Sequence, residues 1–539
     1  MKKLLYFLSL FITLSIYSQN TIGTLRNDPG SYNGYTLLYP NNSNNTYLIN
    51  NCGEVVHQWT SNYTPAASAY LLENGNLLRT GKIANSDITF GGVGGKIELF
   101  DWDNNLLWEY TYSSTTVSQH HDIYPLPNGN ILMLAVSTMT EAEAIQAGRN
   151  PSLLSEGKLF NEQILELEPV GTNQVNVVWE WNIKDHVVQD LDATKDNFGV
   201  VSDNPQLLDI NFLNNNNPQA NWLHINSIQY NESLNQIVLS SRRLSEIYII
   251  DHSTTTAQAA TNSGGIYGKG GDILYRWGNR EAYDKGTDVD RTLDSQHYPH
   301  WIPDGLTDAG KLMIFNNGNT RGYSSVDIIN PPTSSPGIYL YDDTNGYGPA
   351  VAEWIYTTPT PSDLFSSILS SGQRLPNGNT LICDGNSGYF LEIDQNNTIV
   401  WEYVNPDTSN GVLSQGETPT LNFTFRARKF SIDFPAFFGR DLTPGVPVEL
   451  NPDLSECNIL SISAFVFDAL SIHPNPASNF LNINTNTVID KVEFYDIVGK
   501  LVLNSKYTNT IDIGHLSDGL YLVRIYSGNQ SITKKIIKN

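Results

Sequence analysis

Three histidines occupy matched positions in separate repeats of the 539-residue sequence. His121 and His297 each lie six residues before the proline of a Pro-Asn-Gly or Pro-Asp-Gly turn, and His224 lies six residues before a looser copy of that turn. A neutral imidazole can attack an electrophile, exchange a proton or bind a metal near neutral pH. The matched spacing therefore marks these three as candidates for chemistry. The other histidines outside the first pattern share no such register and are interpreted as structural: His57, His186, His252, His473 and His515.

An arginine is the fourth candidate. The segment QIVLSSRR leads away from the turn after His224, so it returns to the end where His224 lies and brings Arg242 there. A guanidinium cannot ligate a metal, but its planar fork suits sulfate or phosphate. No glycine-rich nucleotide motif accompanies it. We therefore expect a site for a tetrahedral oxyanion with no nucleotide and no metal; a zinc or iron site built from the three histidines is the alternative.

Two repeated patterns must position these residues. The first is a turn followed by an apolar strand, a strong hairpin signal, and it occurs at 71–80, 125–134, 230–241, 301–315 and 374–383. The second is a strand rich in aromatic residues, and its six copies end at Trp59, Tyr110, Trp181, Trp277, Tyr356 and Tyr403. Repeats of about 40 to 50 residues with short strands favour a β-propeller. The sequence thus predicts an all-β fold with a six-bladed propeller over residues 19–456; a stack of β-sandwiches is the rival.

In a propeller the innermost strands of all blades start at the same end of a central channel. Residues at equal register in different blades therefore converge there, and we expect His121, His224, His297 and Arg242 to meet in one small volume. The neighbouring His120 should point away because side chains alternate along a strand. Counting alone leaves open which of the two adjacent histidines faces the site.

The net charge, the N-terminal segment and the cysteine content limit the possible partners of the protein and the cellular compartment in which it works. A formal net charge of -24 argues against nucleic acid as a partner, since nucleic acid requires a basic face. Two lysines, an apolar run and a small residue at Ser18 predict a cleaved signal peptide over residues 1–18. Export permits one disulfide among three cysteines, and we expect Cys52 to pair with Cys457 because they flank the repeat region, leaving Cys383 as a buried thiol.

The character of the chain changes after Cys457. A linker is predicted at 457–467 and a small β-sandwich-like domain at 468–539, with alternating strands such as KVEFYDIVGKLVL and GLYLVRIY. The Pro-Asn-Pro start, the Gly-Lys turn and the TKKIIK end resemble the C-terminal sorting domain of type IX secretion cargo. That resemblance implies export through the periplasm by the type IX secretion machinery, to a secreted or surface-attached location.

The motifs of the repeat region together resemble one enzyme family. The segments HHDIYPLPNGNILML, NWLHINSIQYNESLNQIVLSSRR, QHYPHWIPDGL and QRLPNGNTLICDGNSGYFLEID, the last followed by TIVWEYVNP, look like the aryl-sulfate sulfotransferases that work without 3'-phosphoadenosine-5'-phosphosulfate. The likeness covers most of residues 50–450. It implies a six-bladed propeller without a cofactor, which moves a sulfuryl group from a phenolic sulfate ester to a phenol by a ping-pong route through a sulfohistidine.

The resemblance also implies a role for each candidate. His297, in the Gln-His motif, would be the nucleophile, while His224 and Arg242 would bind the sulfuryl oxygens. His121 would complete the pocket and protonate the leaving phenoxide, and Asn226 would be a further substrate-binding residue.

Two departures from the family pattern concern neighbours of these residues. Tyr298, Pro299 and His300 follow the nucleophile where an acidic residue is common, and Arg243 follows Arg242 where a histidine is common.

The function predicted from the sequence is therefore a secreted, cofactor-free aryl-sulfate sulfotransferase that acts on small phenolic sulfates and phenols. A non-catalytic surface propeller for adhesion or glycan binding and a histidine-ligated metalloenzyme are the alternatives. The matched histidine register with Arg242 favours the enzyme, since a binding module has no need of it. The physiological substrates and the oligomeric state stay open.

Overall fold

The computed structural model describes residues 20–458, 470–485, 488–497, 499–506, 510–527 and 530–539. The predicted signal peptide at 1–18 and all but the first two residues of the predicted linker at 457–467 lie outside them. The described chain is nearly all β, as the sequence predicts. No helix in this part of the chain is both long enough and apolar enough to cross a membrane.

Six antiparallel sheets account for most of residues 20–458; sheets 1 to 5 have four strands each and sheet 6 has five. Apart from the first strand of sheet 1 and the edge strand of sheet 6, the strands of each sheet follow one another in sequence. Sheet 1 consists of Arg428–Ser431, Gly34–Leu38, Asn45–Ile49 and Val55–Thr60. Sheet 2 consists of Pro65–Leu71, Leu77–Lys82, Gly95–Phe100 and Leu106–Thr111. Sheet 3 consists of Val117–Pro125, Ile131–Thr140, Lys158–Val170 and Gln174–Asn182.

Sheet 4 consists of Ile225–Asn231, Gln236–Ser241, Glu246–Asp251 and Tyr275–Trp277. Sheet 5 consists of His297–Trp301, Leu312–Asn316, Ser325–Ile329 and Trp354–Tyr356. Sheet 6 consists of Ser371–Arg374, Thr380–Asp384, Tyr389–Ile393, Ile399–Val404 and, on its outer edge, a fifth strand at Gly23–Asn27.

Both sequence patterns map onto these sheets. Each of the five turn motifs joins the first and second strands of a sheet, and each of the six aromatic strands is the fourth strand of a sheet. In the Asn-Gly turns the glycine takes a left-handed backbone, with φ of 87° at Gly75, 89° at Gly129 and 87° at Gly378. The asparagine before the glycine accepts a hydrogen bond from the amide two residues on, for example Asn128 from Asn130 at 2.9 Å. The repeated turn chemistry thus sets the same hairpin in several sheets.

The aromatic strands join neighbouring sheets. In five of them a tryptophan Nε1–H donates to a main-chain carbonyl of the next sheet or its connecting loop, which links sheets 1 to 2, 2 to 3, 3 to 4, 4 to 5 and 6 to 1. The N–O distances are 2.9 Å from Trp59 to Asp101, 3.1 Å from Trp108 to Gln174, 2.8 Å from Trp181 to Gly271, 2.7 Å from Trp277 to Pro349 and 2.8 Å from Trp401 to Asn51. The tryptophan that recurs at one register therefore makes the same kind of contact between five pairs of sheets. Its apolar ring packs between the sheets, and its Nε1–H has a hydrogen-bond acceptor.

Strands from the two ends of the repeat region combine in sheets 1 and 6. The first strand of sheet 1, Arg428–Ser431, pairs with Gly34–Leu38, and Gly23–Asn27 pairs with Ile399–Val404 of sheet 6. Cys52 and Cys457 form a disulfide across a sequence separation of 405 residues, which confirms the predicted pairing. Cys383 is a buried free thiol, also as predicted.

Insertions and short elements complete this region. The helix Glu141–Gln146 begins with a capping box in which Thr140 and Glu143 satisfy each other's main-chain amides. The remaining helices and helical turns are Pro151–Leu153, Ile183–Asp185, Val201–Asp203, Thr256–Ala259, Arg280–Tyr283, Asp288–Asp290, Pro361–Asp363, Pro435–Phe437 and Ser455–Asn458. The two-stranded pairs are Val187–Val188 with Leu208–Asp209, Thr333–Ser335 with Ile338–Tyr339, Tyr341–Asp342 with Gly346–Tyr347, and Asp407–Thr408 with Gly411–Val412.

The C-terminal region has two sheets of its own. One contains Ser471–His473, Phe480–Asn484 and Thr510–Asp512, and the other contains Leu501–Lys506, Lys491–Tyr495, Gly519–Ser527 and Gln530–Lys538. Side chains from both sheets share one apolar core, which includes Leu481, Phe494 and Val523.

We predict that the disulfide stabilises the repeat region. It closes a loop of about 400 residues, and a cross-link of this kind typically adds about 2–4 kcal/mol to the free energy of unfolding by restricting the unfolded chain. The double substitution Cys52→Ser and Cys457→Ser should lower the denaturant midpoint accordingly, and reductant should do the same to the wild type. Reductant should have no further effect on the double variant. Equal midpoints for all four samples would contradict the prediction.

Candidate active site

The three predicted histidines lie in or directly before neighbouring first strands: His121 is in the middle of Val117–Pro125, His224 directly precedes Ile225–Asn231, and His297 begins His297–Trp301. The first strands of sheets 2, 3, 4 and 5 lie side by side in that order. The rings of His121 and His224 are 4.7 Å apart between centroids. Phe425, just before the first strand of sheet 1, lies 6.4 Å from the ring of His121 and 6.5 Å from that of His297. The structure therefore brings all three histidines to one place.

The backbone leaves the regular strand conformation at this place. His121, His224 and Tyr298 have positive φ angles of 47°, 51° and 52°. The strand pairing shifts register beside each of them. Such bulges re-aim side chains and are common beside active sites. The approach is also close: a Cβ atom on Gly92, whose φ is 88°, would lie 2.2 Å from Nε2 of His121, so only glycine fits there.

His297 is held by a side-chain amide. Its Nδ1 lies 2.8 Å from Oδ1 of Asn317, while Nδ2 of Asn317 donates to the carbonyls of Ser366 and Leu369 at 2.7 and 3.2 Å. Because the amide nitrogen is committed to two carbonyls, the amide oxygen must accept from His297. The proton therefore lies on Nδ1, and Nε2 carries a lone pair that faces the amide N–H of Leu369 at 3.2 Å.

The imidazoles of His121, His224 and His297 are neutral at physiological pH. Burial lowers the pKa of His297 to about 3, and the guanidinium of Arg242 adds to the shift. Burial likewise lowers the pKa of His121 and His224 well below the ordinary value, with further lowering by neighbouring imidazoles and by Arg242. Neutral rings keep a lone pair for attack or for accepting a proton.

Arg242 lacks a counter-ion. Among the described residues it forms no ion pair, its Nε has no hydrogen-bond partner, and Nη2 donates only to the carbonyl of Ser367 at 3.3 Å. The carboxylate of Asp294 acts on it only from a distance, and burial lowers its pKa. A largely buried guanidinium without a carboxylate is a ready site for an anion, since an unpaired buried charge is costly.

His120 does not point away from the site, which corrects the expectation from strand alternation. Its Nδ1 lies 3.0 Å from Nδ1 of His121, and its Nε2 lies 2.9 Å from Oε2 of Glu162. The positive φ of His121 turns the second ring back towards the first, so alternation fails at this point. Both adjacent histidines thus belong to the cluster, with His121 closer to His224.

Asn226 lies one step behind the cluster. It is fully buried, and its Nδ2 donates to the carbonyl of Gln296 at 2.8 Å, while its Oδ1 has no partner among the described residues. The side chain of Gln296 donates to three acceptors on sheet 4, including the carbonyl of Glu246 at 2.8 Å. In this structure Asn226 and Gln296 fix the backbone that carries His297.

The residues at which the sequence departs from its family pattern lie at the edge of the cluster. His300 contacts the carbonyl of Tyr298 at 3.2 Å through Nδ1, and burial lowers its pKa to about 4. Arg243 donates to Oε1 of Gln219 at 2.8 Å and to the carbonyl of Asn217 at 2.5 Å. Neither side chain contacts the ring of His297.

Two of the histidines interpreted as structural have buried or partly buried polar partners. His186 lies between Asp272 and the carbonyl of Ala259, and His252 contacts Glu166. Within the described part of the chain, no group of three or more His, Cys, Asp or Glu side chains is arranged to hold a metal ion. Two surface cavities of about 450 and 480 Å³ lie away from the histidine cluster.

Two regions of the chain match known protein families. Residues 17–415, more than half of the chain, match the family described as Arylsulfotransferase (ASST). The chain belongs to the arylsulfotransferase family. It is therefore an aryl-sulfate sulfotransferase, a transferase, as its motifs predict. Residues 471–539 match the secretion system C-terminal sorting domain, which confirms the predicted type IX tail and indicates export to a secreted or cell-surface location.

Solved structures add only distant likenesses. They include a protein of unknown function from Bacteroides caccae, with 11% identity, a TM-score of 0.40 and coverage of 74% of this chain and 99% of that one. A periplasmic gluconolactonase from Pseudomonas aeruginosa has 9% identity, a TM-score of 0.34 and coverage of 69% and 96%. An inactive virginiamycin B lyase from Staphylococcus aureus with quinupristin has 11% identity, a TM-score of 0.32 and coverage of 71% and 88%. These likenesses carry no argument about activity, and no curated protein matches the chain.

Several residues of the arylsulfotransferase site escaped the sequence reasoning. Asn317 directly follows the second strand of sheet 5, as Arg242 directly follows that of sheet 4. The position directly after a second strand, which marks Arg242, therefore marks Asn317 as well. No sequence motif marks Glu162, Leu369 or Phe425. Each reaches the site from a strand or loop outside the two repeated patterns.

We predict that Asn317 sets the tautomer of His297. Asn317→Ala should reduce turnover on the order of 100-fold with little change in donor KM, because the ring of His297 loses its orientation but Arg242 keeps its place. Release of 4-nitrophenol from 4-nitrophenyl sulfate in the presence of phenol measures this.

Asn317→Asp serves as the matched variant. Its carboxylate can still accept from Nδ1, but its charge stabilises the imidazolium, so the acid limb of the rate profile should move to higher pH. An Asn317→Ala enzyme with wild-type turnover, or an Asn317→Asp profile without that shift, would rule out the role.

Proposed function

We propose that this enzyme transfers a sulfuryl group from a phenolic sulfate ester to a phenolic acceptor by a ping-pong mechanism, with a sulfohistidine formed on His297. The observation that carries the proposal is the lone pair on Nε2 of His297, fixed by Asn317, beside a largely buried Arg242 that has no counter-ion among the described residues. A nucleophile and an anion grip in one pocket suit the transfer of a charged group, in which positioning and electrostatics dominate.

Each residue of the cluster then has a role. In the first half-reaction Nε2 of His297 attacks the sulfur, the S–O bond to the aryl group breaks, and the phenol leaves. Arg242 and His224 bind the sulfuryl oxygens, and Asn226 supports this part of the pocket. The amide N–H of Leu369, which faces Nε2 at 3.2 Å, can donate to an oxygen of the transferred group. His121 protonates the leaving phenoxide and later accepts the proton of the acceptor phenol.

We also propose the architecture that holds this pocket. The six sheets are the blades of one six-bladed propeller, with the first strands around a central channel and the histidines at one mouth. The tryptophan contacts that link sheets 1 to 5 in order, and sheet 6 back to sheet 1, support a closed ring. The catalytic domain spans residues 19–456 after a signal peptide at 1–18, a linker spans 457–467, and the two C-terminal sheets form a sandwich-like sorting domain at 468–539.

The nucleophile and the anion grip can be tested separately. His297→Ala should abolish acceptor-dependent release of 4-nitrophenol from 4-nitrophenyl sulfate, and should abolish the adduct of one sulfuryl group seen by mass spectrometry without acceptor. Arg242→Gln should keep the adduct but slow its formation about 100- to 1000-fold, the scale of one lost oxyanion donor. Arg243→Gln is the matched control, since its guanidinium is already satisfied by neutral partners, and it should be close to wild type.

Two results would redirect the assignment. Release of 4-nitrophenol that is independent of acceptor would indicate a hydrolase. No release from several aryl sulfates would favour the non-catalytic surface propeller.

The low pKa of His297 predicts an unusual acid limb. An imidazole with the ordinary pKa of about 6.5 is mostly protonated at pH 5 and cannot attack. Because the pKa of His297 is lowered to about 3, its ring stays neutral at pH 5. The rate constant of the single-turnover burst of 4-nitrophenol should therefore change little between pH 7 and pH 5. A tenfold loss per pH unit below pH 6.5 would show that the nucleophile titrates normally.

A further inference from the structure

A buried carboxylate and two imidazoles form a continuous chain that ends in the pocket. Oε2 of Glu162 lies 2.9 Å from Nε2 of His120, and Nδ1 of His120 lies 3.0 Å from Nδ1 of His121. Glu162, His120 and His121 are 2%, 0% and 3% exposed, so water does not interrupt the chain. Only Nε2 of His121 is then left to meet a substrate.

The two carboxylate oxygens of Glu162 have different partners. Oε1 of Glu162 accepts from the amide of Ile225 at 3.1 Å, which anchors the side chain between sheets 3 and 4. Apart from each other, Oε2 of Glu162 and Nε2 of His120 have no partner among the described residues. A buried carboxylate and a buried ring nitrogen of this kind satisfy one another only if a proton lies between them.

We propose that Glu162 and His120 form a proton relay that charges His121 as the general acid and base of sulfuryl transfer. The proposal rests on the proposed sulfotransferase function and assigns roles to two residues beyond it. Glu162 and His120 act as positioning and relay residues, since neither touches the substrate.

The relay balances the reaction. Before transfer His120 is an imidazolium with Glu162 as its counter-ion, its Nδ1–H donates to Nδ1 of His121, and His121 carries a proton on Nε2. As the S–O bond breaks, the aryl oxygen takes the Nε2 proton, and the Nδ1 proton of His120 moves to Nδ1 of His121. The imidazolium charge and the phenoxide charge cancel, which leaves neutral rings and a neutral phenol. The acceptor phenol reverses each step in the second half-reaction.

The relay also predicts which donors the enzyme can use. A phenol with a weakly basic oxygen, such as 4-nitrophenol, leaves without a proton, whereas an unactivated phenol needs one. General acid catalysis typically contributes about 100- to 10,000-fold. The relay therefore extends the substrate class to sulfate esters of unactivated phenols, for which a bare anion pocket would be too slow.

The test compares donors whose leaving phenols differ in basicity. Wild type should show a shallow dependence of kcat/KM on leaving-group pKa across 4-nitrophenyl, 4-chlorophenyl, phenyl and 4-methoxyphenyl sulfates. Glu162→Gln should keep most activity with 4-nitrophenyl sulfate but lose about 100-fold with phenyl sulfate, which makes the dependence steep. Glu162→Asp, which keeps the charge but retreats from His120, should fall between them.

The same strand provides the matched control. Glu166 contacts Nε2 of His252 at 2.9 Å in a largely buried pair away from the pocket, so Glu166→Gln should lower stability without steepening the dependence on the leaving group. An equal loss with every donor in Glu162→Gln would mean a structural role and overturn the relay, as would an unchanged phenyl sulfate rate. A wild type inactive even with 4-nitrophenyl sulfate would instead overturn the proposed function.

Discussion

The site depends on one buried ion pair. Nη2 of Arg426 lies 2.7 Å from Oδ2 of Asp122, and both side chains are almost completely buried. Asp122 also accepts from the hydroxyl of Tyr70 and the main-chain amide of Ile228, so groups from sheets 1, 2, 3 and 4 meet at it. Such a pair adds little net stability, because burial costs each charge its hydration, but losing one partner typically costs about 3–5 kcal/mol. The ion pair instead fixes where the neighbouring site residues lie along their strands, because Asp122 follows His121 directly and Arg426 follows Phe425.

The ion pair explains why the strands deform where they do. With Asp122 fixed inward, His121 can face the pocket only if the backbone departs from simple alternation, and its φ of 47° is that departure. Arg426 in turn lies 4.1 Å from the ring of Tyr298, the residue after His297, which also has a positive φ. The left-handed backbone of His121, His224 and Tyr298 thus lies in or beside the histidine cluster, where packing and the ion pair can hold it.

The sequence predicts the repeated hairpins and aromatic strands well, but it does not predict where the backbone deviates from the repeated pattern. Hairpin turns and aromatic strands are local signals, so the strands that follow Pro127 and Pro376 and the aromatic strands predicted to end at Trp59 and Tyr403 could be located by their own chemistry. The matched register of His121, His224 and His297 predicts their convergence for the same reason. It failed for His120, because a bulge reverses alternation and leaves no mark on the pattern. It also had no means of finding Glu162, which reaches the cluster from the third strand of its sheet.

Arg428–Ser431 is the first strand of sheet 1, although the other three strands of that sheet lie within residues 34–60. Phe425 and Arg426, which border the pocket, enter with the same segment. Sheets 2 to 5 are therefore synthesised in full before sheet 1 has its first strand or Asp122 has its counter-ion. A chain that ends before this segment can form hairpins and single sheets, but it lacks the first strand of sheet 1 and the partner of Asp122. Sheet 1 and the surroundings of the histidine cluster are therefore completed by the same late segment.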